Sequence, residues 1–212
     1  RRMEGVDKLF LNLLGAPLLS YTLEALHAVC AIGDIALVLN DSNLDLGREL
    51  VAEQKFRKVT RVGLGGKRRQ DSVRCGLEML PPCDWVVIHD GARPCVEPQL
   101  IERGLEEAVR WGSAVAALPM RDTLKKADAK RMVTGTLDRQ RVWAVQTPQI
   151  FSWDILQQAY QQEDVTVTDE SALVERLGQP VHLYFGSNEN NKVTTPEDAS
   201  LAEAVLRHRK EL

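Results

Sequence analysis

The stretch Trp85-Val86-Val87-Ile88-His89-Asp90-Gly91-Ala92-Arg93-Pro94 drives four apolar residues straight into an imidazole, a carboxylate, a glycine and an arginine. A short apolar run bounded by turn residues reads as a buried strand, here 85–89. Similar runs recur at 35–39, 59–62, 114–118 and 181–185. Between them, apolar residues spaced three and four apart predict helices over 18–30, 72–80, 99–110, 169–177 and 196–209. Strands alternating with amphipathic helices imply an α/β fold: a Rossmann-like, open, mostly parallel sheet with helices on both faces. We expect one domain over 1–212, with a first strand and its following loop missing before residue 1. In such sheets ligands bind beyond the carboxyl ends of the strands, where Asp90 stands. A lone hard carboxylate there suits Mg²⁺, which keeps several waters and bridges to substrate phosphates. A plainer reading has Asp90 cap the turn and pair with Arg93, and His89 is read as packed rather than catalytic.

Working outward, the composition narrows the function classes. The chain has 212 residues, 44% hydrophobic and 27% charged, with a net charge of −3. That gives enough chain for a real core and no global basic bias, so nucleic acid is not an expected partner. Cys30, Cys75, Cys83 and Cys95 form no CxxC pair and no Cys/His cluster. Structural zinc and a disulfide framework are therefore not expected, and the four are read as buried thiols of a cytoplasmic protein. No apolar run approaches the roughly 20 residues that span a bilayer, so no membrane association is expected.

Three further segments carry polar chemistry. Gly65-Gly66-Lys67-Arg68-Arg69-Gln70-Asp71-Ser72 follows a predicted strand and enters a helix, where paired glycines allow close backbone approach and free N–H groups favour anions. By itself such a loop is more often a turn. Arg1-Arg2-Met3 with Lys8 gathers cations at the start, and Lys192 sits in the polar connection Asn190-Asn191-Lys192-Val193-Thr194-Thr195-Pro196. Thr195 is placed to cap the last helix, with Pro196 at its first position. The segment 121–142 is charged and poor in core residues, yet it alternates in patches. It reads as a projecting β-arm, and a lone two-stranded arm is marginal unless it packs on another subunit.

Taken together, RRM…K, GG..R.DSV..GL, HDGARP, PMRDT, QTPQIF, TDESALVE and NNKVTTPED stand in an order and at separations that resemble the methylerythritol phosphate cytidylyltransferases. The family's glycine loop before RRM is absent from this sequence. The resemblance implies transfer of CMP from CTP to 2-C-methyl-D-erythritol 4-phosphate, with release of pyrophosphate, in the non-mevalonate isoprenoid pathway. It implies Arg2 and Lys8 as the basic pair that stabilises the pentacovalent transition state, and Asp90 as the Mg²⁺ ligand. Gly65, Gly66, Arg69, Ser72, Gly91, Ala92 and Arg93 match positions around CTP. Thr123, Arg139, Thr168 and Lys192 match contacts to the acceptor. It further implies a homodimer in which the 121–142 arm carries Arg139 into the partner's site. Asp122 and Asp169 could position these basic groups, and Gln146-Thr147-Pro148-Gln149-Ile150-Phe151 reads as a connection returning to the sheet, without assigned chemistry.

Two rival readings remain open. The sister activity on ribitol 5-phosphate shares the fold and CTP site, but typically has a bulkier residue where this chain has Ala92, and a segment less like QTPQIF. A non-catalytic nucleotide-binding dimeric scaffold is the rival from another class. The presence of Arg2, Lys8, Asp90 and Lys192 argues against it.

Overall fold

The computed structural model describes residues 8–162 and 166–211. A 3₁₀ turn at Lys8–Phe10 leads into the hairpin β1 (Asn12–Leu13) and β2 (Ala16–Pro17), then helix α1 (Leu18–Ala28). There follow β3 (Ile35–Leu39), α2 (Leu44–Glu53), β4 (Val59–Leu64), α3 (Arg69–Met79), β5 (Trp85–Ile88), α4 (Pro98–Trp111) and β6 (Ser113–Pro119). The chain then leaves the body as β7 (Lys125–Ala127) and β8 (Val133–Thr136), and returns as β9 (Trp143–Ser152). It ends with α5 (Trp153–Tyr160), α6 (Glu170–Arg176), β10 (His182–Phe185) and α7 (Pro196–Lys210).

The main sheet has the order β10-β6-β9-β5, and β3 pairs with β4 in parallel as a second small sheet. The α/β class holds, but the sheet is mixed. β10 runs parallel to β6, whereas β9 is antiparallel to both β6 and β5. The reason is topological. β6 delivers the chain to the carboxyl edge of the sheet, the excursion begins and ends at that edge, and the returning strand can only run the other way.

Alternation along the strands divides the core between two faces. Ala114, Ala116 and Ile150 face α1 and α4, where Val29, Leu100 and Ile101 are fully buried. Val115 and Phe151 point to the opposite face and meet Leu156, Leu173 and Val174 of α5 and α6. Each such fully buried side chain contributes about 1.5–3 kcal/mol relative to exposure. Chain punctuation fits these elements: Gly112 closes α4 at φ 85°, a left-handed conformation glycine tolerates without strain. Thr195 Oγ1 accepts from the Asp198 amide at 3.3 Å, while Asp198 accepts from the Thr195 amide at 2.8 Å, a reciprocal cap at the start of α7.

Two surfaces depart from a uniformly packed body. Among the described residues no ladder joins β3 to β5, and an open cavity of about 900 Å³ lies between them. Its middle is walled by Leu19, Leu23, Leu37 and Val86, and its polar end by Arg69 and Asp90. The β7–β8 hairpin is almost wholly exposed, with Met132 and Val133 presenting apolar side chains to solvent.

The cysteines correct one expectation. Cys95 is buried and Cys75 partly so, but Cys30 and Cys83 are exposed, because both lie in connections rather than on core-facing positions. No described helix is long and apolar enough to cross a membrane.

Candidate active site

β5 ends at Ile88, and the next residues turn out of the sheet so that Asp90 lies beside Thr147, whose hydroxyl accepts from the Asp90 amide at 3.1 Å. The Asp90 carboxylate is 13% exposed and faces three cations. Arg69 Nε stands 3.1 Å from Oδ1, Lys192 Nζ 2.9 Å from Oδ2 and Arg93 Nε 3.5 Å from Oδ2. Burial by itself would raise the Asp90 pKa, but the charges of Arg69, Lys192 and Arg93 outweigh it and hold the carboxyl well below the ordinary range. Asp90 is therefore ionised at neutral pH.

Each cation is delivered by a different part of the chain. Arg69 is the first residue of α3, and Arg93 closes the turn after β5, its amide donating to the Asp90 carbonyl at 3.1 Å. The Arg93 guanidinium also donates to the Asn190 carbonyl at 2.7 Å. Asn190 is fully buried, and its amide donates to the Thr147 carbonyl at 2.8 Å. The Val193 amide donates to the Ala92 carbonyl at 2.8 Å, which locks the Lys192 loop onto the strand-end turn. Gln146, Thr147 and Asn190 thus form the frame behind the charged cluster.

The glycine loop leads into α3, whose Arg69 and Ser72 line the same cavity. A Cβ on Gly66 would fall 2.3 Å from Asp71 Cβ, so the loop can close on α3 only with glycine there, and the Gly65 amide donates to the Leu39 carbonyl at 2.8 Å. Ser72 Oγ donates back to the Arg68 carbonyl at 3.2 Å, one turn inside α3 rather than at its start. Ser72, Arg69, Asp90 and Gly91 share the cavity wall. Lys8 opens the first 3₁₀ turn, and its neighbour Leu9 packs against Gly91. Arg2 lies outside the described residues. His89 matches its reading as a packed residue: burial pushes its imidazole down to about 4, so it stays neutral.

The acceptor candidates are distributed differently. Lys192 is in the Asp90 cluster, while Thr168 is exposed just before α6. Thr123 and Arg139 stand on the excursion, and no hydrogen bond or ion pair found among the described residues joins them to Asp90. The Arg139 guanidinium donates to the Arg121 carbonyl instead. Asp138 caps the turn at Arg139–Arg141. Asp169 is likewise engaged locally: it accepts from the Ala172 amide at 3.2 Å and from Gln149 Nε2 at 2.8 Å. It positions α6, not a basic group.

The donor set fits a magnesium ion of the kind that binds through phosphate oxygens. Asp90 supplies one ionised oxygen donor, and no group of three or more acidic, His or Cys side chains gathers among the described residues to make an all-protein cage. A buried anion ringed by cations at the carboxyl end of a strand has the charge and the position to meet a polyphosphate and its counter-ion.

Comparison with known proteins resolves which polyphosphate chemistry this is. The family model of 2-C-methyl-D-erythritol 4-phosphate cytidylyltransferase matches residues 1–208. The chain belongs to that family. It is accordingly an enzyme, a nucleotidyltransferase of the methylerythritol phosphate route to isoprenoids. It is 48% identical over 207 residues to the cytidylyltransferase of Dehalococcoides mccartyi strain CBDB1, covering 98% of this chain and 91% of that one. The Desulforamulus reducens cytidylyltransferase is 44% identical over 209 residues, with 96% and 89% covered. Among solved structures, the Thermus thermophilus cytidylyltransferase superposes with a TM-score of 0.77 at 32% identity, covering 96% of this chain and 95% of that one. The 4-diphosphocytidyl-2C-methyl-D-erythritol synthase of Anaerococcus prevotii superposes with a TM-score of 0.83 at 28% identity, covering 94% and 93%.

Proposed function

We propose that the Asp90 cluster is the place where this cytidylyltransferase joins CTP to methylerythritol phosphate. The observation that carries the assignment is the carboxylate of Asp90 held among Arg69, Arg93 and Lys192 at the end of β5, within a chain that matches the family almost throughout. A phosphate oxygen of the acceptor attacks the α-phosphorus of CTP. The new P–O bond forms as the bond to the β-phosphate oxygen breaks, and pyrophosphate leaves. Asp90, with oxygens of the triphosphate, would hold Mg²⁺, which when bound offsets charge on the triphosphate and the leaving group.

The chain's own residues supply the remaining electrostatics. Lys8 and Arg2 carry fixed positive charge to the oxygens of the α-phosphorus, where negative charge grows in the transition state. Gly65, Gly66, Arg69 and Ser72 bracket the base and ribose, and Gly91, Ala92 and Arg93 flank the nucleotide. Lys192 pairs with Asp90 and would be free to turn to the acceptor phosphate if Asp90 held the metal instead. Thr168 contributes from the approach to α6.

Thr123 and Arg139 act from the 121–142 arm in the partner subunit's site of a homodimer. What supports this is the exposed arm itself, with Met132 64% and Val133 61% exposed and apolar. The net charge of −3 gives no support to a nucleic-acid partner, and no described helix is long and apolar enough to cross a membrane.

Pyrophosphate release from CTP with Mg²⁺ tests the acceptor, comparing methylerythritol 4-phosphate with ribitol 5-phosphate. Release with the former alone is expected. Release only with ribitol phosphate would reassign the acceptor, and release with neither would favour a silent scaffold.

A further inference from the structure

Glu170 carries no role in the chemistry above, yet its side chain has no exposure to solvent. A buried carboxylate is costly unless charge and hydrogen bonds compensate it. Its Oε2 takes a direct ion pair from an Arg69 terminal nitrogen. Its Oε1 lies 3.1 Å from the Tyr160 hydroxyl, which also lies 3.2 Å from the Gln70 carbonyl. Burial and the Glu170 charge both push the Tyr160 phenol up, so that it remains a protonated donor. The same Arg69 guanidinium presents Nε to Asp90 at 3.1 Å. Arg69 is thus clamped between two carboxylates, one in the site and one behind it.

The residues on either side of Arg69 grip the same segment. Arg68 donates to Thr166 Oγ1 at 3.0 Å, and Gln70 Oε1 accepts from the Val167 amide at 3.0 Å. The start of α3, which carries the glycine-loop side of the site, is therefore fastened to residues 166–170, which carry Thr168. Among the described residues, Glu170 is the charged link in that seam with no exposed surface.

We propose that Glu170 is a positioning residue for nucleotide binding: it holds the Arg69 guanidinium in the orientation that meets Asp90 and CTP. This rests on the reading of Arg69 as a CTP contact. An unclamped arginine would lose rotamer freedom on each binding event, whereas a clamped one has lost it already, so the clamp acts through CTP affinity rather than through the chemical step.

Glu170→Gln keeps the shape of the side chain and removes its charge. We expect the CTP dissociation constant, measured by calorimetry with Mg²⁺, to rise about tenfold, and the KM for CTP with it, while kcat changes less than threefold. In an Arg69→Ala background the same substitution should change CTP affinity less than twofold, because the group it acts through is gone. CTP affinity within twofold of the parent for Glu170→Gln overturns the proposal, as does an equal weakening in both backgrounds. If Arg69→Ala alone leaves CTP binding intact, the reading of Arg69 falls and the proposal falls with it. Should Glu170→Gln not fold, Tyr160→Phe provides the measurement. A two- to threefold loss of CTP affinity confined to the Arg69 background supports the clamp, and an unchanged affinity overturns it.

Discussion

The Asp90 cluster and the 121–142 arm both carry arginines, and they hold them in opposite ways. At Asp90 the cations are set by burial: the carboxylate is 13% exposed, Arg93 10%, and the frame of Thr147 and Asn190 is closed by hydrogen bonds. In the arm, Arg139 rests on a backbone carbonyl, and the hairpin consists of three paired positions, Lys125 with Thr136, Lys126 with Gly135 and Ala127 with Val133. One region carries its own preorganisation. The other gains little from its own three-position ladder, since a lone two-stranded hairpin is marginal by itself.

The sharpest way to break this contrast is to remove the anion at its centre. Asp90→Asn should leave Arg93 and Lys192 without their anion and Arg69 with Glu170 alone, in a largely buried place. We expect a loss of about 3–5 kcal/mol in urea unfolding together with loss of turnover. Because the folded Asp90 pKa lies below the ordinary carboxylate value, its stabilising contribution is complete above that value and disappears as pH falls through the folded one. An Asp90→Asn protein as stable as the parent at neutral pH would show that the cluster is not interlocked.

Lys8→Ala should reduce kcat about 10²–10³-fold with little change in CTP affinity, since its contact strengthens only as charge develops. An unchanged turnover number would remove Lys8 from the chemistry. Arg139→Ala should raise the acceptor KM about tenfold, leave CTP binding intact and leave the melting temperature nearly unmoved, as expected of a side chain on an exposed arm. Mixed dimers of Arg139→Ala and Lys8→Ala subunits should regain one working site. If they do not, the arm serves its own subunit.

The smallest effect lies far from both regions. Thr195→Ala should cost about 1 kcal/mol by removing the α7 cap, without altering either KM. Hydrogen bonds from Thr194 lower the Asp198 carboxyl to about 2, so its share of that cap is complete above the ordinary carboxylate pKa of about 3.9 and fades as pH falls toward 2. A change in either KM would mean that α7 communicates with the site.

Much of the frame was legible because local pattern and tertiary environment agree. Strand 35–39 is found as Ile35–Leu39, 85–89 as Trp85–Ile88 and 114–118 as Ser113–Pro119. The Thr195 cap lies where serine/threonine-proline chemistry places it. β9 escaped notice because Gln146, Thr147, Pro148 and Gln149 read as a polar connection, whereas Gln146, Thr147 and Gln149 are all buried. Their partners Ser187, Asn190 and Asp169 come from distant segments, so no local window contains the reason for their burial. α2 was hidden by Gly47, which weakens a helical reading. In the fold a Cβ there would stand 2.1 Å from Leu39 Cδ1, so any larger residue would have to displace the Leu39 side chain where α2 lies against β3.

The site divides along the same line. Asp90, Arg93 and the glycine loop were readable because strand ends and paired glycines are local features. Glu170 had a signal that went unused: it lies three and four residues before Leu173 and Val174 on the buried stripe of α6, a charged residue among core positions. By itself the sequence determined which residues could carry charge, where the strands end and which family the ordered motifs resemble, since these depend on neighbours a few residues apart. Only the tertiary structure decided that Arg69, Asp90, Glu170 and Lys192 form one continuous ion-pair network and that β9 reverses direction within the sheet. Both are set by packing between segments far apart in the chain, where burial and Coulomb energy depend on distances through space.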